Sequence, residues 1–461
     1  MWTATPDDTV TFVDGPLLSS DRQRFDTYAK KVKILDLKEC ADPPKETSEL
    51  LARLLATLHP EQRVLSNLQE LHMHSFPSLG RNDQDSQAYL IYVSTLLGAG
   101  VTSFTAAPPS AACTVLTLSY LRFLCPAVQD LCIIKPDCDI ALMLSGFRGL
   151  TKLNLTAAIS DTATALSSSL LQSLGALPNL RHLSTTLAFD TSTYQVQPRA
   201  CTYFPSLESL KIGNALDLSP VGALLCDIAS QTPKLISVTI DYTSTAASLP
   251  SARSTQLRYL TRGLSMYSSS LVTLTLACNG RPSTAEDLQC LSSLTKLRSV
   301  TLVDLIPSDT VTDLFFGNLT RTCSVLQVFT YLSRTSGSPS TLAALGILAS
   351  NCPQLWAVSL PFNVSSIPPV METGPPLPRR MSPVHLLIHR LAFIAESQHP
   401  AIAEYISAIY PNVNINFLKD VDTSLRRSWE SVIPWIALFE RVRRIERQRV
   451  SKLSKTEGEH K

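Results

Sequence analysis

The chain has 461 residues, of which 40 are lysine or arginine and 38 are aspartate or glutamate, so its formal net charge is +2. Hydrophobic residues make up 44% and charged residues 17%, which is typical of folded globular proteins and excludes a mainly disordered chain. A net charge this small also excludes a protein-wide field that would attract nucleic acid or acidic substrates.

The N-terminal stretch MWTATPDDTVTFVDG has no basic segment followed by an apolar run. No apolar stretch in the chain reaches the roughly 20 residues that a bilayer-spanning helix needs. The 11 cysteines are spread singly, without a CxxC pair. We therefore expect a cytoplasmic or nuclear protein with reduced thiols and no membrane contact.

A short pattern recurs along the chain: an apolar residue, any two residues, a second apolar residue, any one residue and a third apolar residue. Twelve copies begin at Val32, Leu68, Val101, Val128, Leu150, Leu180, Leu207, Leu235, Leu271, Leu297, Leu326 and Leu355. Their starts lie about 22 to 36 residues apart, which is typical of leucine-rich repeats whose units contain a helix. The sequence therefore predicts a strand at each copy.

Segments with leucines at spacings of three and four lie between several copies, and each begins near a Ser, Thr or Asp that can cap a helix. These predicted helices are TSELLARLLATLHP, DSQAYLIYVSTLLGAG, SPVGALLCDIASQTP, TAEDLQCLSSL, SDTVTDLFFGNLTRTC and SPSTLAALGILASNCP. One strand and helix cannot bury their own apolar faces, whereas a stack of such units can. We therefore predict an α/β fold, a curved leucine-rich-repeat solenoid with parallel strands on its concave face and helices on its convex face.

The pattern divides the chain into four parts. Residues 1–31 form an N-terminal segment that leads into or caps the repeats, and residues 32–365 form the solenoid of about 12 irregular repeats. Residues 366–384 form a proline-rich loop or linker, and residues 385–461 form a C-terminal repeat, a capping helix and a basic tail. In the last part, PAIAEYISAIYPNVNINFL predicts one more helix and strand.

The proline-rich segment contains a PxxPxR pattern, formed by Pro375, Pro378 and Arg380, which either binds an SH3 domain or belongs to a plain loop. The final helix is predicted to be amphipathic and to seal the open end of the solenoid. Its apolar residues at helical spacing are Trp435, Leu438 and Val442. The basic tail RVRRIERQRVSKLSK contains glutamate and no interleaved aromatic residues, so nucleic-acid binding is not expected.

Residues two apart in a strand face the same side, so the pattern also predicts which side chains line the concave face. One row is Asp36, His72, Thr105, Cys132, Asn154, Ser184, Lys211, Thr239, Thr275, Thr301, Thr330 and Ser359. The row two residues earlier includes Glu70, Asp130, Lys152, His182, Ser209, Ser237, Thr273 and Ser299. From Thr239 onward the first row contains only hydroxyl groups, which suit a protein surface more than a small polar substrate.

The densest group of polar side chains lies in LQELHMHSF. Glu70, His72 and His74 alternate along one strand, and Asp36 lies one strand back, about 4.8 Å away if the copies are in register. Such groups are transition-metal ligands, they contact protein partners, and they also occur on ordinary solvated strands. All three interpretations stay open, with Glu70, His72 and His74 as the metal candidates.

We expect the concave face to bind a partner protein. The predicted contact residues are Asp36, Glu70, His72, His74, Asp130, Asn154 and Lys211. No nucleophile with a base and an orienting group is visible, and the sequence has no phosphate loop, HExxH or GxSxG motif. We therefore expect a non-enzymatic protein without a cofactor, and the alternative is a metal-dependent or small-molecule site near His72.

Two stretches of the chain resemble the fungal F-box and leucine-rich-repeat protein family. In that family the pattern Arg-Phe-x-x-Tyr-Ala-x-x-Val follows the F-box, and LLSSDRQRFDTYAKKVKILDL is similar to it. The matching residues are Arg24, Phe25, Tyr28, Ala29 and Val32. The late stretches HPAIAEYISAIYPNVNINF and SWESVIPWI are similar to the C-terminal end of the same family.

The resemblance implies a substrate-recognition subunit of an SCF-type ubiquitin ligase, in which the repeats hold a target and the F-box docks the cullin-ligase adaptor. Only 23 residues precede Arg24. We therefore expect the F-box to be missing, and the adaptor to bind only if an F-box lies upstream. A relative that has lost its F-box and a free-standing repeat scaffold without a ligase link are the alternatives.

Overall fold

The computed structural model of the chain describes residues 2–4, 10–12, 23, 26–37, 65–74, 83–134, 136, 140–157, 165–189, 203–231, 234–243, 250–279, 288, 291–304, 312–333, 340–361, 363–364, 366–369, 383–388, 394–417 and 422–458. The chain divides into two compact units. Unit 1 comprises Met1–Leu187 and Cys201–Ser206, and unit 2 comprises Ala188–Ala200 and Leu207–Lys461.

Unit 1 begins with an antiparallel pair of short strands, β1 (Trp2–Ala4) and β2 (Val10–Phe12). Its described residues also form a sheet of six parallel strands, each hydrogen-bonded to its neighbours in chain order. These strands are β3 (Ile34–Leu37), β4 (Glu70–Met73), β5 (Ser103–Ala106), β6 (Asp130–Ile134), β7 (Lys152–Thr156) and β8 (His182–Thr185).

Among the described residues of unit 1, four helices lie between the strands. They are α1 (Asp83–Leu96), α2 (Ala111–Leu124), α3 (Ala141–Leu144) and α4 (Ser168–Gly175). Serine side chains cap two of these helices at the N-terminus, because Ser110 accepts a bond from the Cys113 N–H at 3.3 Å and Ser167 accepts one from the Leu170 N–H at 3.1 Å.

In unit 2 the described residues form eight parallel strands, again paired in chain order. They are β9 (Ser209–Ala215), β10 (Ser237–Thr243), β11 (Thr273–Asn279), β12 (Ser299–Val303), β13 (Val328–Leu332), β14 (Ala357–Ser359), β15 (Val384–Ile388) and β16 (Val413–Phe417). The helices are α5 (Leu218–Gln231), α6 (Pro250–Ser265), α7 (Asp313–Thr320), α8 (Ala343–Asn351), α9 (His399–Ile409), α10 (Thr423–Glu430) and α11 (Ile433–Gly458). A 3-10 turn, Glu396–Gln398, precedes α9.

The core of each unit is built from alternate strand residues and from the apolar faces of the helices. In unit 1, Leu71 and Phe104 are fully buried, and in unit 2 Val238 of β10 and Leu225 of α5 are fully buried. Burying a leucine side chain stabilises the fold by about 1.5–3 kcal/mol. Each repeat buries its apolar strand residues only when it is stacked against neighbouring repeats, so a single repeat would not be stable alone.

The predicted α/β repeat fold is confirmed. A strand lies at each of the twelve copies of the pattern, the strands are parallel, and helices lie between them. Because parallel pairing aligns equivalent positions, Asp36, His72, Thr105 and Cys132 lie side by side on four successive strands. The chain is therefore built from consecutive repeats in which parallel strands alternate with helices.

Some elements were not predicted. They are the pair β1 and β2, strand β15 and helices α2, α3, α4, α6 and α10. The predicted helix TAEDLQCLSSL differs from the structure where it is described, because residues 291–293 form a 3-10 turn. The pattern of the repeats also fits Met381, Val384 and Leu386, so the sequence does contain a signal for β15.

The interpretation of the last helix was wrong about which face packs. We expected Trp435, Leu438 and Val442 to cover the end of the repeats, but their exposed fractions are 40%, 48% and 52%. The helix α11 instead buries Ile436, which is 4% exposed, and contacts α9 through Arg443.

Several predictions concern residues outside the described part of the chain. These are the predicted helix at residues 47–60, the PxxPxR residues Pro375, Pro378 and Arg380, and Arg24 and Phe25 of the family pattern. The predicted four-part division of the chain stays a prediction. Within the described ranges, no helix has the length and apolarity needed to cross a membrane.

Candidate functional site

Most strand side chains that alternate with the core remain partly accessible, and we call the surface on which they lie the open face of each unit. In β4 the alternation is clear: Leu71 and Met73 are buried, whereas Glu70 and His72 are half-buried. Strict alternation in a parallel sheet places the polar residues of neighbouring strands next to each other. Polar side chains therefore form continuous rows on the open face.

The structure brings together the four residues that sequence analysis singled out at the start of unit 1. The His72 Nε2 atom lies 3.4 Å from Glu70 Oε2, and the His74 Nε2 atom lies 3.5 Å from Asp36 Oδ1. The two imidazole rings stack with a centroid distance of 5.9 Å and an interplanar angle of 15°. We call Asp36, Glu70, His72 and His74 the acidic-imidazole cluster.

Hydrogen bonds orient the His72 ring within this cluster. Its Nδ1 atom lies 3.1 Å from Thr105 Oγ1 on the adjacent strand β5. A neutral ring satisfies both contacts if Nε2–H donates to Glu70 and the Thr105 hydroxyl donates to Nδ1. The cluster is thus preorganised by a neighbouring strand, which favours binding over an unordered solvated surface.

The same rows continue along the next strands of unit 1. The Lys152 Nζ atom on β7 lies 3.5 Å from Asp130 Oδ2 on β6. Asn154 accepts a hydrogen bond from Thr156 Oγ1 at 3.4 Å. Between these groups, burial and then the Asp130 carboxylate raise the pKa of the Cys132 thiol. Cys132 is therefore a neutral thiol at neutral pH and a poor nucleophile.

The metal candidates do not converge on one point. Each imidazole faces a different carboxylate, His72 with Glu70 and His74 with Asp36. A transition metal needs three or more donors around one centre. Among the described residues, no group of three His, Cys, Asp or Glu side chains is arranged to hold a metal ion.

Lys211, the remaining predicted contact residue, belongs to unit 2. It lies exposed on β9 and pairs in register with Thr239 on β10. Burial raises the pKa of Asp241, two residues further along β10, while the charge of Lys211 lowers it. The predicted contact set is thus divided between two units, with six members in unit 1 and Lys211 in unit 2.

Unit 2 carries the predicted hydroxyl rows. One row pairs Thr239, Thr275, Thr301, Thr330 and Ser359 across five adjacent strands. Most of these hydroxyl groups are half-buried, but Ser359 is 1% exposed and donates to the Leu387 carbonyl oxygen at 3.1 Å. From Thr239 onward this row carries no formal charge, whereas Lys211 precedes it on β9.

Sequence analysis missed a group of ring and amide side chains on the last strands of unit 2. The Trp356 and His385 rings meet edge to face at 6.2 Å, and His385 Nδ1 lies 3.1 Å from Asn416 Nδ2. Trp356 is 45% exposed, and exposed tryptophan is enriched at protein-binding hot spots. Extending the repeat search past Leu355 would have placed His385 on a strand.

Comparisons with known proteins give little further information. No protein-family model matches the chain. No curated protein gives a significant match. A solved structure described as the complex of Rad7 and Elc1 in yeast is similar to 88% of this chain and 93% of that chain, at 13% identity and a TM-score of 0.38. The fold assignment rests on the strands and helices described above.

Proposed function

We propose that the chain is a non-enzymatic protein-interaction module whose target binds the open face of unit 1. The observation that carries this proposal is the acidic-imidazole cluster, in which four side chains from two adjacent strands are ordered by contacts at 3.1 to 3.5 Å. Such a cluster is partly accessible, and its side chains need little further ordering when a partner arrives.

The charge of this face indicates what kind of target fits. Asp36, Glu70 and Asp130 supply three carboxylates, whereas Lys152 supplies one ammonium group. Complementary charge steers association and suppresses wrong partners. The proposed target therefore presents a basic segment to the open face of unit 1.

The finer proposal is a substrate-recognition role in an SCF-type ubiquitin ligase, or descent from such a receptor with loss of the F-box. Its support is the resemblance of residues 24–32 and of the C-terminal stretches to the fungal family. A free-standing repeat scaffold is the alternative. In either version, the target is expected to bind the same face.

Site-specific photo-cross-linking tests where the target binds. A photoreactive phenylalanine analogue replaces His74, which is 46% exposed, and in a control protein it replaces Leu142 on α3, which is 79% exposed. We expect one protein to be captured from His74 and not from Leu142. A third protein carries the analogue at Thr301, in the hydroxyl row of unit 2. Capture from Thr301 instead of His74 would move the site to that row, and equal capture from all three positions would contradict a specific site.

Charge reversal tests how the captured target is held. The double variant Asp36→Lys with Glu70→Lys is expected to weaken binding of that target by about tenfold or more, because it replaces both carboxylates of the cluster. Glu396→Lys, an exposed change of the same sign in unit 2, is the matched control. Unchanged binding in the double variant would rule out the acidic-imidazole cluster as the contact.

A separate measurement tests the ligase role. The protein is expressed from its full-length native transcript, purified and examined for a co-purifying cullin-ligase adaptor. In a strain that lacks the gene, the captured target is examined for loss of its ubiquitin conjugates. Both are expected for a substrate receptor. A bound target with neither adaptor nor change in ubiquitin conjugates would leave the binding proposal intact and remove the ligase role.

A further inference from the structure

The C-terminal helix α11 has two faces with different surroundings. On one face Ile436 is buried, and Arg443 donates hydrogen bonds to Ser407 Oγ and, at 3.0 Å, to the Glu404 carbonyl oxygen of α9. These contacts anchor the helix to unit 2. The other face carries an apolar stripe that no described residue covers.

The stripe consists of four large apolar side chains whose exposed fractions range from 40% to 57%. They are Trp435, Leu438, Val442 and Ile445. Their spacings of three, four and three residues are those of the a and d positions of a heptad repeat, which form the seam of a coiled coil. The stripe extends over about 15 Å of helix.

The side chains that flank the stripe identify its occupant. With Val442 at position a and Leu438 and Ile445 at position d, Arg441 occupies position g and Glu446 occupies position e of the next heptad. In a parallel two-stranded coiled coil, g of one chain faces e of the following heptad in the other chain. Arg441 of each copy would then face Glu446 of the other, so the stripe is self-complementary in charge.

Other occupants fit less well. The helix contains seven basic and three acidic side chains, which would attract an acidic partner. At the stripe itself, however, the acidic Glu446 lies directly beside the apolar residues, and Arg449 occupies the next position along the stripe. A helix that inserts into a membrane surface needs a broad apolar face, whereas this stripe has the narrow width of a coiled-coil seam. The anchored face points away from the stripe, so α9 does not block a second helix.

We propose that α11 is a homodimerisation element, which pairs in parallel with α11 of a second copy of the chain. Two heptads bury less surface than a permanent interface, and Arg449 at an a position lowers stability while favouring one register. The dimer is therefore weak and reversible. This inference is independent of the function proposed for the open face.

Sedimentation velocity of the full chain, from about 1 to about 300 µM, tests the proposal. We expect a concentration-dependent dimer that is lost in the double variant Leu438→Ser with Ile445→Ser. Because both residues are exposed, the variant should keep the melting temperature of the wild type. Leu142→Ser on α3, an apolar change at a side chain that is 79% exposed, should leave dimerisation unchanged.

Charge swapping tests the parallel orientation. Arg441→Glu alone and Glu446→Arg alone are each expected to weaken dimerisation by about twofold to fivefold, and the combination is expected to restore it. A monomer at every concentration would overturn the proposal, as would a dimer that survives the serine variant. Failure of the combined variant to restore pairing would overturn the parallel arrangement. Binding to anionic vesicles that depends on Leu438 and Ile445, without a dimer, would assign the stripe to a membrane surface instead.

Discussion

Gly222 of α5 and Gly263 of α6 lie against each other where the two helices pack. A Cβ atom on Gly263 would lie 2.6 Å from the Gly222 carbonyl oxygen, and one on Gly222 would lie 2.5 Å from the Tyr259 carbonyl oxygen. Backbone atoms cannot move aside as a flexible side chain can. The two glycines therefore set how closely α5 and α6 approach.

Gly263→Ala is expected to lower the free energy of unfolding by about 1–3 kcal/mol, because the added methyl group forces the two helices apart. Gly317→Ala in α7 is the control, since its Cβ would make an ordinary contact of 3.6 Å with Ile347. Gly317→Ala should leave the free energy of unfolding unchanged or raise it by up to about 1 kcal/mol, because alanine has a higher helix propensity than glycine. Urea denaturation of both variants gives the comparison, and equal stabilities would refute the close packing.

Tyr267 contributes a buried hydrogen bond to the same pair of helices. Its hydroxyl donates to the Leu225 carbonyl oxygen at 2.7 Å, and the side chain is 0% exposed. Tyr267→Phe is expected to lower the free energy of unfolding by about 1–2 kcal/mol, because the Leu225 carbonyl oxygen loses the hydrogen bond from the Tyr267 hydroxyl inside the core. Tyr259→Phe, at a side chain 52% exposed, should change the unfolding free energy by less than about 0.5 kcal/mol.

Glu440 of α11 should make stability depend on pH. Burial raises the pKa of its carboxyl group, against weaker opposing effects of the Val413 backbone and of Arg444 and Arg443. Because the folded pKa lies above the unfolded value, the folded state holds the proton more tightly. This contribution to stability is present below the unfolded pKa and is lost as pH rises through the folded pKa.

Glu440→Gln removes that dependence because its amide stays neutral. The difference between the thermal unfolding midpoint of this variant and that of the wild type is therefore expected to become more positive as the pH rises from about 4 to about 7. The exposed Glu396→Gln variant, measured over the same range, corrects for the general loss of a carboxylate. A flat difference between Glu440→Gln and the wild type would show that burial does not affect this group.

The Cys132 thiol should respond to its neighbour Asp130. Since burial and that carboxylate both raise the pKa of Cys132, alkylation by iodoacetamide at neutral pH should be slow. Asp130→Asn is expected to accelerate labelling of Cys132 by about twofold to fivefold, measured by mass spectrometry of the modified peptide. Cys226, whose pKa is raised by burial against the opposing charge of Arg262, is the internal control and should label at an unchanged rate.

The open-face rows could be predicted because two simple periodicities determine them. Side chains alternate along a strand, and parallel pairing aligns equivalent motif positions, so Asp36 beside His72 followed from the spacing of the copies. The contact between His72 and Thr105 depends on side-chain rotamers, which the pattern does not specify.

The packed face of α11 could not be predicted in the same way. Trp435 and Ile436 are both large and apolar, and helical spacing alone places them on different faces without showing which one meets α9. The structure shows that Ile436 is buried and that Trp435 is exposed. The group around Trp356 and His385 was missed for a simpler reason, since the repeat search ended one strand too early.

The alignment of the open-face rows also determines how the sequence can diverge without losing its surface. A residue inserted between a helix and the next strand leaves every row unchanged, whereas one inserted within β4 would turn His72 toward the core. Repeat lengths can therefore drift while the grid of surface positions stays constant. A lineage carrying this fold can change its recognition specificity one strand at a time, with the neighbouring strands unaltered.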